Sequence, residues 1–266
     1  MSAGAAAPRR FGAVNWRGLR TLFRRELRRV LIEYRDTVLG PAVSGLLFLA
    51  VFRLALGGAD GPDEGRAFLQ FLAPGLVIFA ACQRAFETAA ASLIYDKLEG
   101  ILADTLMAPL TPVERTLGYA GGAACAGLVT GAVVLAAMLP FVDLPLAAPA
   151  AVLFFAVGGA LLHALLGVLV GLWAERWDHY SASLTFLVIP FAFLSGTFYS
   201  IERLPAVGQQ LVALNPVFYV IDGFRYGFIG RADGSLAVGL AVVVAVDLLL
   251  FAAAYRLFAA GYKIKP

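Results

Sequence analysis

Apolar residues come in long runs along this chain, and charges come in short bunches between them. A helix crossing a bilayer needs about 20 consecutive mostly apolar residues. Runs of that kind fall at roughly 37–57, 68–92, 116–140, 148–173, 180–199 and 236–258, which predicts six transmembrane helices. Two further segments have a different period. From 16 to 35, WRGLRTLFRRELRRVLIEYR, a step of 100° per residue puts Trp16, Leu19, Phe23, Leu27, Val30 and Tyr34 on one face. Arg17, Arg20, Arg24, Arg25, Arg28 and Arg29 cover most of the rest. Such a helix is expected to lie in the bilayer interface, its apolar face in the acyl boundary and its arginines at phosphates.

The second segment lies between the second and third spans. Leu98, Ile101, Leu102, Thr105 and Leu106 recur at helical spacing, while Asp96, Glu99 and Asp104 sit off that stripe or at its edge. Pro109 and Pro112 end the pattern, because proline lacks the N–H donor and clashes with the preceding turn. This predicts a short amphipathic helix over about 96–108, tied to the second span. Two readings stay open here: a helix that transmits force from a soluble partner, or one that lies on the membrane.

Composition places all of this in a membrane. Hydrophobic residues make up 61% of the chain, and the mean hydropathy is +0.82. Soluble domains average about 45–50% apolar residues, so the excess faces lipid. The expected fold class is an all-α polytopic membrane protein. The formal charge of +3 comes mostly from the N-terminal arginines. Beside hydrophobic spans it points to an anionic membrane surface, not to nucleic acid.

The positive-inside rule puts residues 1–36 in the cytoplasm. Six spans return the C-terminus to the same side, in agreement with Lys263 and Lys265, and the loop carrying Lys97 and Arg115 is also inside. The loops at 58–65 and around Asp143, and the segment between the fifth and sixth spans, are expected outside. No apolar stretch precedes the N-terminal arginines, so the first span is expected to serve as an uncleaved membrane signal.

Charges inside apolar runs are the candidates for function. Arg84 and Glu87 are three apart within the second span. An unpaired charge there costs roughly 2.5–3.5 kcal/mol on insertion scales, so the two are expected to pair. The pair either lines a polar cavity for a headgroup or sugar or fixes helix packing. In NPVFYVIDGFRYGFIG, residues 215–230, Asn215 and Pro216 break the run, and Asp222 and Arg225 are placed to pair on one helix face. Phe186, Phe191, Phe193, Phe198 and Tyr199 of the fifth span suit an amphipathic cargo and are equally ordinary packing residues. Gly118/Gly122, Gly127/Gly131 and Gly167/Gly171 have the spacing that lets helices approach closely, read here as packing within the chain.

No G-x-x-x-x-G-K-[ST] phosphate loop and no G-x-S-x-G elbow occurs. Two histidines, His163 and His179, are too sparse for a metal site. The chain is therefore expected to be no enzyme and to bind no metal or cofactor itself. On residues alone, an ATP-independent secondary transporter or channel and a membrane anchor that recruits a soluble partner both stay open.

Four stretches carry a resemblance. FLAPGLVIFA in the second span, ILADTLMAPLTPVERTLGYAGG across the inner loop, LSGTFYSIERLP after the fifth span, and LNPVFYVIDGFRYGFIG follow one another over most of the chain. Together they resemble ABC-2 type transporter permeases, in the branch that contains drug-resistance and nodulation-type lipo-oligosaccharide exporters. The resemblance implies a six-span subunit of the bacterial inner membrane that dimerises and pairs with two separate ATPase subunits, which hold ATP and Mg. It implies an exporter of an amphipathic substrate: a lipid, a lipid-linked glycan or a drug.

By the same resemblance, the N-terminal helix with Phe23, Arg24, Leu27 and Arg28 is a connecting helix. The segment with Glu99, Leu102, Asp104, Leu106, Met107 and Pro109 is a coupling helix that docks on the ATPase. Residues 37–266 form the transmembrane domain. Its outer part, about 201–232 with Pro205, Asn215, Pro216, Asp222 and Arg225, is a broken hairpin that re-enters the outer leaflet. Spans one, two and five line the path, which makes Arg84, Glu87, Phe191, Phe193 and Tyr199 its candidate residues.

Overall fold

The computed structural model describes residues 14–56 and 62–263. Residues 58–61 of the expected loop, and Lys265, lie outside the described residues. Among the described residues every regular element is helical. The N-terminal helix α1 is Trp16–Ile32. A π-helical turn, Arg35–Leu39, leads into α2, Gly40–Leu56. Then come α3, Pro62–Leu98, α4, Ile101–Met107, α5, Pro112–Met138, and α6, Pro149–Trp173. After α7, Trp177–Ser183, a second π turn, Leu184–Val188, runs on into α8, Ile189–Leu194. The chain closes with α9, Ala206–Ala213, α10, Pro216–Ile229, and α11, Leu236–Ala260.

Five of these stretches are long and apolar enough to cross a membrane: Arg35–Ala55, Gly65–Leu98, Pro112–Met138, Pro149–Trp173 and Leu236–Ala260. The fifth expected span, 180–199, differs. Its helix runs over 177–194, so it starts in the polar Trp177-Asp178-His179-Tyr180 and stops early. The stop is local chemistry. The hydroxyls of Ser195 and Thr197 both donate to the Ala192 carbonyl, and Gly196 turns the chain at φ 72°, a conformation that favours glycine.

Helix α3 is the centre of the bundle, packed mainly against α5 and α6. Its 37 residues measure roughly 55 Å at 1.5 Å per residue, well beyond a hydrocarbon core of about 30 Å. Glycine lets the neighbours approach. A Cβ on Gly131 would stand 2.8 Å from the Ala81 side chain of α3, and one on Gly171 would stand 2.8 Å from Leu93 Cβ. The small-residue pairs thus serve packing within the chain.

One end of the bundle gathers α1, the turn between α3 and α4, and the C-terminal ends of α6 and α11. Lys97 donates to the carbonyls of Leu172 and Ala174. Lys263 pairs with Glu175 at 2.7 Å and donates to the Trp173 carbonyl at 3.1 Å. Helix α1 and Lys263 thus lie at the same end of the bundle.

Candidate functional site

At that end the structure places a buried charge cluster that spacing alone did not bring together. Glu26 of α1 and Asp96 of α3 are both fully buried. Arg25 donates to Glu26 Oε1 at 2.8 Å and to Asp96 Oδ2 at 2.6 Å. Arg29 donates to Asp96 Oδ1 at 2.7 Å and to Ser92 Oγ at 2.6 Å. The Tyr119 hydroxyl of α5 donates to Asp96 Oδ2 at 2.9 Å. Two carboxylates thus meet two guanidiniums, and three helices share one network. Burial pushes the Glu26 carboxyl above its usual range, against the pull of Arg25 and Arg29. Burial alone would lower Arg25, but Tyr119, Glu26 and Asp96 outweigh it and hold the guanidinium firmly charged.

Helix α1 turns to the bundle a side that, apart from Val30, its apolar spacing did not single out. Its buried stripe is Leu22, Glu26 and Val30, seated on α5, where Gly118 and Gly122 leave room. A Cβ at Gly118 would stand 2.5 Å from Leu22 Cδ2, and one at Gly122 would stand 2.6 Å from Glu26 Cβ. Trp16, expected on the lipid-facing stripe, is exposed, as is Tyr34. Phe23 and Leu27 are half-buried, and Arg24 and Arg28 are exposed. Arg25 and Arg29 turn to the buried acids, while Arg17, Arg20, Arg24 and Arg28 stay exposed.

The start of α1 is tied to the inner loop as well. Asn15 caps the helix by accepting from Gly18 N at 3.0 Å, and its Nδ2 donates to the Pro109 carbonyl at 3.1 Å. The Asn15 backbone N–H donates to Glu114, which also closes a capping box with Thr111 at the start of α5.

Between these ties lies α4. The expected helix over about 96–108 is in fact split. Helix α3 continues to Leu98, Gly100 turns at φ 73°, and the separate helix begins at Ile101. Asp96 therefore belongs to α3 and faces the cluster. On α4, Leu102 points inward and is buried, Leu106 is half-buried, and Asp104 is exposed. Met107 is 77% exposed, and Glu99 and Pro109 flank it in the open. Arg115 fixes the far end by donating to the Leu106 carbonyl at 2.9 Å. The result is a short helix with a bare outer edge on a stiff mount.

Further along α3, Arg84 Nη1 pairs with Glu87 Oε2 at 3.1 Å, and Gln83 donates to Glu87 Oε1 at 2.8 Å. The pair lines a cavity of about 330 Å³ with Asp36, Phe48, Phe193 and Phe198. Phe191 and Tyr199 are not among its lining residues. The Phe191 carbonyl instead accepts from Asn215 Nδ2 at 2.7 Å, and the Tyr199 hydroxyl donates to the Leu194 carbonyl at 3.0 Å. Phe186 is exposed away from it.

At the opposite end of the bundle, Asn215 caps α10, Pro216 opens it, and Pro205 precedes α9. Most of α10 is buried against α6, α3 and α11. Asp222 and Arg225 do not pair, which corrects the expectation. The two Asp222 oxygens accept from the N–H groups of Asp233 and Gly234, both at 2.9 Å. Arg225 donates to the Gly196 carbonyl at 2.7 Å and to the Phe71 carbonyl at 3.2 Å, with its guanidinium 3.6 Å from the Phe71 ring centroid. Backbone groups at the turns around 196 and 233–234, with the Phe71 carbonyl of α3, outbid the neighbour three residues away. Asp233, which no pattern singled out, closes the loop by accepting from Ser200 Oγ at 2.7 Å and Ile201 N at 2.9 Å.

Residues 17–229 match the family model described as ABC-2 type transporter. The chain belongs to the ABC-2 type transporter family. Among ABC-2 relatives, the inner membrane transport permease YadH of Escherichia coli (strain K12) is 31% identical over 250 residues, covering 94% of this chain and 98% of that protein. Nodulation protein J of Rhizobium leguminosarum bv. viciae is 29% identical over 228 residues, covering 83% of this chain and 86% of its own. The ABC-2 match runs from α1 to the end of α10, so it takes in the charge cluster, α4 and the cavity.

Proposed function

We propose that this chain is the membrane subunit of an ATP-driven exporter in a bacterial inner membrane. Both termini lie in the cytoplasm. Two copies form the path, and two separate ATPase subunits hold ATP and Mg. The chain itself catalyses nothing and moves an amphipathic substrate. The observation that carries this reading is the bare edge of α4, with Glu99, Asp104, Met107 and Pro109, on a mount hydrogen-bonded to α1, α3 and α5. A surface so exposed and so firmly held suits a partner that pushes. The printed names of the relatives, an inner membrane transport permease and a nodulation protein, agree with it.

The mechanics follow from the ties. A push on α4 moves the Pro109 carbonyl and Arg115, and with them Asn15 and α5. The cluster carries the motion to α1 and α3. On α3, Asp96 and Glu87 are nine residues apart, roughly 13 Å along a helix, so the displacement reaches the Arg84–Glu87 pair through one stiff element. Nonpolar aromatics beyond the pair receive the apolar part of the cargo.

Purification of the tagged chain from its host membranes at native expression, in mild detergent, tests the reading. A stoichiometric P-loop ATPase is expected with the wild type and is expected to be lost from Asp104→Lys/Met107→Asp, which alters exposed side chains only. Retention in the variant would move the docking surface off α4. An intact chain that brings no ATPase would contradict the exporter reading.

A further inference from the structure

Two cavities meet at the Arg84–Glu87 pair, and both residues line each of them. The cavity nearer the charge cluster, about 410 Å³, is lined by Glu33, Ser92, Tyr95, Trp177 and Tyr180, and reaches Arg29. The farther one, about 330 Å³, holds Asp36 at its rim and the rings of Phe48, Phe79, Phe193 and Phe198. The ion pair divides a polar, partly aromatic antechamber from an apolar aromatic chamber.

The charges that face these spaces are of two kinds. Arg84 is neutralised by Glu87, and Arg29 by Asp96. Glu33 and Asp36 form no ion pair among the described residues, one in each cavity. The uncompensated charge along the route is therefore acidic on both sides of the divide. Aromatic rings accompany it in both cavities: Trp177, Tyr180 and Tyr95, over whose ring the Arg29 guanidinium already sits at 5.2 Å, on one side, and four phenylalanines on the other. Ring faces attract cations through their quadrupole, and more strongly where water is excluded. An anion entering here would meet unpaired carboxylates and ring faces, both repulsive.

We propose that the two cavities form one route whose cargo is an amphipathic organic cation, with its charge passed from Glu33 to Asp36 and its aromatic or alkyl part held by Phe48, Phe193 and Phe198. The transport role rests on the exporter reading above; the binding does not need ATP. The cationic group exchanges partners across the Arg84–Glu87 divide, and the divide stays neutral when the route is empty.

The test uses the full chain in lipid nanodiscs with tetraphenylphosphonium and tetraphenylborate, ions of similar shape and opposite charge. Saturable binding of the phosphonium above empty nanodiscs is expected, with none for the borate. Asp36→Asn combined with Glu33→Gln is expected to weaken the phosphonium by about tenfold. Both side chains are exposed, so the variant is expected to elute and melt like the wild type. Equal binding of the borate, wild-type affinity in the double variant, or no saturable phosphonium binding would overturn the assignment. No ATPase enters this measurement, so its failure leaves the exporter reading to stand or fall on co-purification.

Discussion

Asp96→Asn is expected to destabilise the purified protein by roughly 3 kcal/mol and to sever transport from ATP hydrolysis. Removing one partner from a buried ion pair leaves the other charges uncompensated, at a cost of about 3–5 kcal/mol. Arg25 and Arg29 keep 28% and 30% of their side-chain surface exposed, so water reaches them in part and the lower end of that range applies. Asparagine preserves the shape of the site, and an effect of this size therefore reports charge. Tyr119→Phe removes one donor to Asp96 and one acceptor from Arg25 and is expected to cost only about 1–2 kcal/mol. Thermal unfolding in detergent ranks the two variants. Equal melting of Asp96→Asn and wild type would mean that the cluster holds nothing together.

Arg225→Met is the second large effect. The guanidinium is almost completely buried and satisfies two carbonyls, one on α3 beside Pro74 and one at the Gly196 turn. Hydrogen bonds from a charged donor contribute about 1.5–3 kcal/mol each, so a loss of roughly 3 kcal/mol or more is expected. Lysine is expected to rescue little, because a point ammonium lacks the planar fork that reaches both carbonyls while stacking on Phe71. Limited proteolysis near residues 195–205, together with melting, checks this. An Arg225→Lys variant as stable as wild type would show that charge alone suffices and that the fork geometry is unimportant.

The long spans were legible because length and hydropathy alone define them. The start of α10 was legible too, since Asn215-Pro216 break the apolar run ahead of it, whereas Pro112, read as the end of the inner-loop helix, instead opens α5 behind the Thr111–Glu114 capping box. What stayed hidden was decided across distance. Glu26 is a lone acid in an arginine run, and only the fold shows that it lies on the Leu22–Val30 stripe opposite Asp96. Gly100 splits what periodicity reads as one helix, because the stripe from Leu98 to Leu106 continues across the break. Asp222 and Arg225 mislead for the opposite reason. Their spacing advertises a pair, while turns at 196 and 233–234 present backbone groups that no side-chain pattern reveals. In the cavity, Phe193 was legible as an aromatic of the fifth helix, but Phe48 and Asp36 come from the first span and the turn before it and carry no pattern of their own.

The central claim is that nucleotide on a partner changes access to the route through α1, α3 and α4. Ser44 lines the aromatic cavity and is exposed. In a chain with Cys82 and Cys125 replaced by alanine and Ser44 by cysteine, co-purified with its ATPase in nanodiscs, the rate of thiol labelling is the measurement. The account predicts a change in rate when ATP binds and is trapped, and its loss when Asp96 is also replaced by asparagine. A labelling rate indifferent to nucleotide in a complex that hydrolyses ATP would contradict it.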